Sequence, residues 1–311
     1  MINLAIVVPC FNEEEVLPIT IRRIEELRSA LVLEGLITPH STITFVDDGS
    51  KDSTWSVIEK AAQANATLHG IKLSKNKGHQ YALLAGLMTV QGDAVVSVDA
   101  DLQDDPSVIR NMVVHYQNGA EIVFGIRNDR TSDTVFKRWS AELYYRMLAV
   151  MGIDIVFNHA DYRLMGRTAI VALEKYGEVN LFLRGIIPQL GFHTERVFYK
   201  RAERFAGESK YPVRRMISLA WDGLTSFSAT PLRLITLFGL VVSLSSFGFG
   251  CWALVQRLFL QGSVPGWAST VIPMYFLGGV QLLSLGVIGE YISKVYFETK
   301  RRPRYIIEKI V

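Results

Sequence analysis

Over roughly the first 125 positions, short apolar runs alternate with segments whose apolar residues recur every three or four positions. The runs at 4–8, 42–46, 68–73, 94–98 and 121–125 have strand length; the first four run into Pro9, Asp47, Ser74 and Asp99, and the fifth ends in Gly125. Between them, 14–33, 53–64, 79–90 and 106–117 carry helical spacing. Pro18 sits near the start of the first of these, and Asp52 or Ser53 is placed to cap the second. This alternation predicts an α/β domain with a mostly parallel sheet and helices on both faces. In such sheets ligands gather beyond the carboxyl ends of the strands.

The last third follows a different pattern. Residues 234–255 and 268–289 form two runs without a charge, each about 22 residues long and enough to cross a hydrocarbon core of ~30 Å. Two buried core helices would be shorter and would carry some charge. The short link at 261–267 contains Gly and Pro and predicts an antiparallel hairpin. Lys210, Arg214, Arg215 and Arg233 precede the first run, and Lys294, Lys300, Arg301, Arg302 and Arg304 follow the second. Only Arg257 lies on the far side, so the positive-inside rule puts both ends in the cytoplasm. Trp252 and Trp267 flank the far interface. Ahead of the first run, Val213, Met216, Ile217, Ala220, Trp221 and Leu224 recur at helical spacing. They predict a helix lying on anionic lipid, or else a core helix with one buried face. The expected organisation is therefore an α/β domain at 1–210 and an interfacial helix at 211–230. Transmembrane helices at 234–256 and 268–292 and a basic tail at 296–311 complete it.

Composition agrees with a membrane-attached chain. Hydrophobic residues make up 49%, and the mean hydropathy of +0.21 is high for a soluble enzyme. A net charge of +3 is too small to argue for a nucleic-acid partner. Cys10 and Cys251 make neither a disulfide framework nor a zinc site, and reduced thiols fit the cytoplasm. A strand pattern begins almost at the first residue, so no signal peptide is expected.

Polar residues collect at the predicted strand ends. The first strand runs into Pro9 to Glu14, the second into Asp47, Asp48, Gly49 and Ser50, and the third into Lys75 to Gly78. The fourth runs into Asp99 and Asp101, followed by Gln103. Turn chemistry explains Gly49, Ser50 and Gly78. It explains paired carboxylates at two strand ends poorly, because like charges gathered together need a cation or a donor. In extended backbone Asp99 and Asp101 would face the same way, with the Gln103 carbonyl nearby. Such oxygens suit Mg²⁺ or Mn²⁺, which take a few protein ligands plus substrate phosphates. The alternative is a solvated acidic loop capping the next helix. The histidines, His79 and His159 among them, have no ligand spacing and are expected at the surface or in turns.

Taken in order, residues 8–15, 46–54, 76–78 and 99–104 resemble the motif set of glycosyltransferase family 2. The resemblance implies a GT-A fold and a nucleotide-diphospho-sugar donor. It implies that Pro9, Phe11, Glu13 and Asp48 hold the base and ribose, with Asp47, Lys77, Asp99, Ala100 and Asp101 completing the donor site. Phe11 departs from the family's usual tyrosine and keeps only the ring contact. Asp99, Asp101 and Gln103 would hold the metal and pyrophosphate, and Asp161 stands where a base is often drawn. Arg127, Arg138, Arg204, Ser209 and Lys210 resemble the acceptor-phosphate residues of the family's polyprenyl-phosphate branch. The stretch at 221–307 looks closest to the bacterial bactoprenol glucosyltransferases of O-antigen glucosylation. That implies inverting transfer of glucose from UDP-glucose to undecaprenyl phosphate at the inner membrane. It also suggests assembly through the hairpins, where Gly278, Gly279, Gly286 and Gly289 offer close-packing faces.

Four other readings compete. A dolichyl-phosphate mannose synthase is chemically adjacent. A processive synthase would need more spans and a Gln-x-x-Arg-Trp motif, whereas the one Arg-Trp pair, Arg138-Trp139, has Val135 at the Gln position. A non-catalytic nucleotide-binding scaffold would not need the Asp99, Asp101 and Gln103 set. A flippase would need charge inside the spans.

Overall fold

The computed structural model describes residues 1–127, 159–178, 181–200, 230–259 and 266–311. The predicted interfacial helix and the positions of Arg138, Arg204, Ser209 and Lys210 lie outside them. The chain divides into two compact units, Met1–Pro212 with Arg302–Val311, and Val213–Arg301.

The first unit is built on an eight-stranded sheet. Its strands are β1 (Leu4–Cys10), β2 (Thr42–Asp47), β3 (Leu68–Leu73), β4 (Ala94–Ser97), β5 (Ile122–Arg127), β6 (His159–Gly166), β7 (Thr194–Tyr199) and β8 (Ile307–Ile310). Their order across the sheet is β7-β5-β6-β4-β1-β2-β3-β8. The pairs β4–β1, β1–β2, β2–β3 and β5–β7 are parallel. The strands β6 and β8 run against their neighbours. The central strands β1 and β4 are buried along their whole length, which explains their unbroken apolar runs.

The helices are α1 (Leu17–Leu33), α2 (Thr54–Ala64), α3 (His79–Thr89), α4 (Val108–Gln117), α5 (Arg167–Glu174) and α6 (Leu183–Gln189). The core of α3 is buried from Ala82 through Leu87, where it packs on β1 and β2. Ser53 makes no side-chain cap on α2; instead an Asp52 carboxylate oxygen accepts the Thr54 N–H at 3.0 Å.

The C-terminal end departs from expectation. The basic tail predicted at 296–311 is not a separate element. Its first residues continue a helix, and Ile307–Ile310 forms the edge strand β8 on β3. Gly70 and Val311 exchange backbone hydrogen bonds at 2.9 Å each, and Ser74 N–H donates to the Ile306 carbonyl at 3.0 Å. Arg304 donates to the Tyr176 carbonyl. Behind the basic residues at 300–304, Ile306, Ile307, Ile310 and Val311 form a short β-branched pattern that suits an edge strand.

The second unit contains α7 (Thr230–Phe259) and α8 (Trp267–Thr299), which touch one another. Both outrun the predicted spans. Within them Thr230–Phe249 and Phe276–Thr299 are long and apolar enough to cross a membrane, and neither is buried. Leu234, Phe247, Phe249, Leu282 and Leu285 are all exposed, an arrangement that water would penalise and lipid would not.

Candidate active site

The turns after β1 and β2 are laced together at the carboxyl edge of the sheet. Asn12 N–H donates to Ser50 Oγ at 2.9 Å, and the Asn12 side-chain carbonyl accepts Lys51 N–H at 2.9 Å. Glu13 N–H donates to Thr54 Oγ1 at 2.9 Å, and Ser53 N–H donates to the Glu14 carboxylate at 2.8 Å. Asn12 adopts φ 54°, a left-handed conformation that Asn tolerates better than most residues. Phe11 is 41% exposed at this edge, and Pro9 is buried.

Asp48 reaches across to the turn after β3. One of its oxygens accepts Lys77 N–H at 2.7 Å and the other accepts Gly78 N–H at 2.8 Å. The Asp47 carboxylate accepts Ser50 N–H at 3.1 Å and keeps one buried oxygen without a partner. Burial pushes both carboxyls upward, against the hydrogen bonds each accepts. Gly49 between these turns has φ 68°, and a Cβ there would lie 2.6 Å from the Asn76 nitrogen. Only glycine fits that approach.

Beyond β4 the backbone turns instead of staying extended. The ladder ends at Ser97, and Leu102 takes φ 53°, a strained value for a leucine. Asp101 accepts Gln103 N–H at 3.1 Å, and Thr20 Oγ1 donates to the Ala100 carbonyl at 2.8 Å. Asp99, Asp101 and Gln103 are thus gathered by a turn and not by strand alternation. Burial raises the Asp99 carboxyl to about 6; His79 opposes this, and the charges of Asp104, Asp161 and Asp101 add to it.

Asp161 arrives from the antiparallel strand. The register pairs Ser97 with Arg163, so two residues further along Asp161 stands level with Asp99. Its carboxylate is 5% exposed and meets Arg163 at 2.5 Å. Arg184, from α6, forks onto both of its oxygens at 3.3 and 2.9 Å. Burial works against ionisation here, yet the His79 hydrogen bond and the two guanidinium charges hold the carboxyl well below the usual range. His79 Nε2 lies 3.5 Å from Asp99 Oδ1 and 3.5 Å from Asp161 Oδ2. Burial disfavours the His79 charge, but Asp161 and Asp99 more than offset it and raise its pKa. His79 is exposed, as expected of a surface residue, but its ring also sits between two site carboxylates, which its spacing did not signal.

Arg127, at the end of β5, is steered by two groups. Its side chain stands 3.4 Å from Asp104 Oδ1 and donates to Tyr199 Oη at 3.3 Å. Tyr199 donates to the same Asp104 oxygen at 2.6 Å.

The structure therefore brings Pro9, Phe11, Glu13, Asp47, Asp48, Lys77, Asp99, Ala100, Asp101, Gln103, Arg127 and Asp161 to the strand ends of one sheet. Sequence reasoning missed the parts played by His79, Arg184, Asp104 and Tyr199. His79 carried a signal as the first helical residue after the Asn-Lys-Gly turn, and Asp104 as the last residue of the 99–104 stretch. Arg184 and Tyr199 reach the site through tertiary folding alone.

The donor set fits a hard divalent cation. Among the described residues no group of three Asp, Glu, His or Cys gathers to hold a metal. Two carboxylates and an amide carbonyl remain, and Gln103 Oε1 is buried without a hydrogen-bond partner. An orphaned carbonyl oxygen beside acid groups is what an ion that keeps waters and substrate phosphates in its shell requires.

The family model for glycosyl transferase family 2 matches residues 5–173, which hold the site ends of β1 to β6. The chain belongs to glycosyl transferase family 2. An uncharacterized glycosyltransferase of Bacillus subtilis is 50% identical to it, covering 98% of this chain and 91% of the relative. A prophage bactoprenol glucosyl transferase homolog of Escherichia coli is 39% identical over 99% of both chains. The SfII prophage-derived bactoprenol glucosyl transferase of Shigella flexneri is 40% identical, covering 99% of this chain and 98% of the relative. Membership makes the chain a glycosyltransferase, and its mostly parallel mixed sheet is of the GT-A kind.

Proposed function

We propose that this glycosyltransferase moves glucose from UDP-glucose to undecaprenyl phosphate at the cytoplasmic face of the bacterial inner membrane. One observation carries the reading: similarity to bactoprenol glucosyl transferases runs through the strand-end site and on through both apolar helices. A soluble donor and a lipid acceptor can meet only where such a site is held at a bilayer. The excess of Lys and Arg outside the helices puts both termini in the cytoplasm. The glycines of α8 at 278, 279, 286 and 289 would let copies pack closely.

The chemistry follows from the residues. Phe11 stacks on the base, with Glu13, Asp47 and Asp48 around the ribose. A divalent cation, Mg²⁺ or Mn²⁺, held by Asp99, Asp101 and Gln103 would supply positive charge against the leaving diphosphate. Arg127, joined by Arg138, Arg204, Ser209 and Lys210, grips the lipid phosphate through guanidinium forks and an ammonium. A phosphate oxygen of the lipid attacks the anomeric carbon, the bond from that carbon to the diphosphate oxygen breaks, and UDP leaves. One displacement inverts the anomeric centre. A phosphate monoester has a second pKa of ~6, so no strong base is required. Asp161 is already ionised and pinned by two guanidinium groups; it positions and does not need to take a proton.

The test is purified protein with undecaprenyl phosphate and a panel of sugar nucleotides, following lipid product. UDP-glucose is expected to give glucosyl lipid and UDP. Preference for GDP-mannose would overturn the sugar assignment, and no nucleotide release on adding the lipid would favour a binding scaffold.

A further inference from the structure

We infer that His79 is a positioning residue that fixes the Asp99 carboxylate against the immobile Asp161. The inference rests on the reading that Asp99 serves the donor's diphosphate and cation. It concerns a residue that no strand-end motif singles out.

The geometry is a chain of constraints across three strand ends. Asp48, at the end of β2, captures the N–H groups of Lys77 and Gly78 at 2.7 and 2.8 Å. Gly78, at φ 101°, then turns the backbone so that His79 opens α3. The ring nitrogen Nε2 faces Asp99 and Asp161 at 3.5 Å each. Of these two carboxylates, Asp161 is immobile. It is almost fully buried, pinned by the buried Arg163 and forked by Arg184. Asp99 lies beyond the last ladder pair of β4, in a segment that has left the sheet, and its side chain is 27% exposed. A carboxylate in that situation has several orientations open to it. The one Nε2–H, held at a helix start and shared at 3.5 Å between the fixed Asp161 and the freer Asp99, favours the Asp99 orientation that faces it. The imidazole thus transmits the rigidity of β6 to the first acid of the pair. Partners that orient ligating carboxylates matter to a site nearly as much as the ligands do.

The roles of the nitrogen and of the ring can be separated by variants. His79→Gln places an amide N–H near the position of Nε2, whereas His79→Ala removes the donor. Since His79 is exposed and its helix is anchored from Ala82 onward, neither change removes core. Two measurements on the full-length protein in detergent decide the matter. The first is Mn²⁺ binding in the presence of UDP, read by electron paramagnetic resonance, which needs no turnover. The second is the kcat and KM for undecaprenyl phosphate.

His79→Ala is expected to weaken Mn²⁺ binding and lower kcat by about 10–100-fold, the usual cost of losing an orienting partner. The KM for the lipid should stay within about twofold, since the acceptor cations are untouched. His79→Gln should recover most of both losses. Wild-type Mn²⁺ affinity and kcat in His79→Ala would overturn the inference while leaving the proposed function intact. A Gln variant as impaired as Ala would overturn it as well, because the ring and not the directed N–H would then matter. If wild type binds no Mn²⁺ and Asp101→Asn turns over normally, the proposed cation role falls, and the inference falls with it.

Discussion

Asp161 shows how much one side chain can be asked to do. It is the counter-charge of Arg163, whose guanidinium is 1% exposed and whose Nε and one terminal nitrogen are buried with no partner. Replacing Asp161 by Asn leaves that cation uncompensated, and breaking a buried pair in this way costs about 3–5 kcal/mol. Asp161→Asn should therefore lower stability as well as activity, and denaturant unfolding would register the difference. The pH dependence has a definite sign. The folded pKa of Asp161 lies below the ordinary value, so its stabilisation is complete above about pH 4 and is lost as pH falls through the folded pKa. Wild type should lose stability more steeply than Asp161→Asn on acidification. Equal slopes would mean that the carboxylate is not what holds the Arg163 charge.

Among the elements, β8 changes the architecture most. It is short and exposed on most positions, and its ion pairs, Lys72 with Glu308 at 2.8 Å and Lys309 with Glu59 at 2.5 Å, are partly solvated. Pairs of that kind contribute little, so β8 stabilises chiefly through its ladder with β3. The three backbone bonds from Gly70, Ser74 and Val311 are worth about 2–4 kcal/mol together. Without them β3 would become an open edge, which invites pairing with another chain. Ending the chain after Tyr305 should abolish hydrogen-exchange protection at the Gly70 and Ser74 amides and promote aggregation. Protection unchanged at both amides would show that the edge strand is dispensable. Because β8 follows α8 directly in sequence, the chain returns to the first unit after the apolar helices, and both ends of the second unit are covalently tied to the catalytic sheet.

For the molecule as a whole, the proposed topology has a direct test. In a background with Cys10 and Cys251 replaced by Ser, Gly262→Cys should react with a membrane-impermeant thiol reagent added outside intact spheroplasts. Arg302→Cys should react only after permeabilisation. The reverse pattern would place the strand-end site on the wrong side for a cytoplasmic sugar nucleotide.

Much of this protein was written locally. The strand order of residue types, the turns rich in Asp, Asn and Gly, and the two uncharged runs are short-range patterns. Each reflects a backbone or solvent requirement that acts over a few residues. The gathering of acids at one edge of the sheet was legible because they cluster within a few positions of their strand ends. Tertiary structure alone decided the rest, since register and crossing place residues that sequence keeps far apart. An antiparallel β6 carried Asp161 level with Asp99, α6 brought Arg184 onto it, and β7 set Tyr199 against Asp104. His79 acquired its place from the same event, because a lone histidine has meaning only once two carboxylates from different strands stand on either side of it. The tail became a strand because β3 offered an unpaired row of N–H and C=O groups, and such a row is created only when the sheet is assembled.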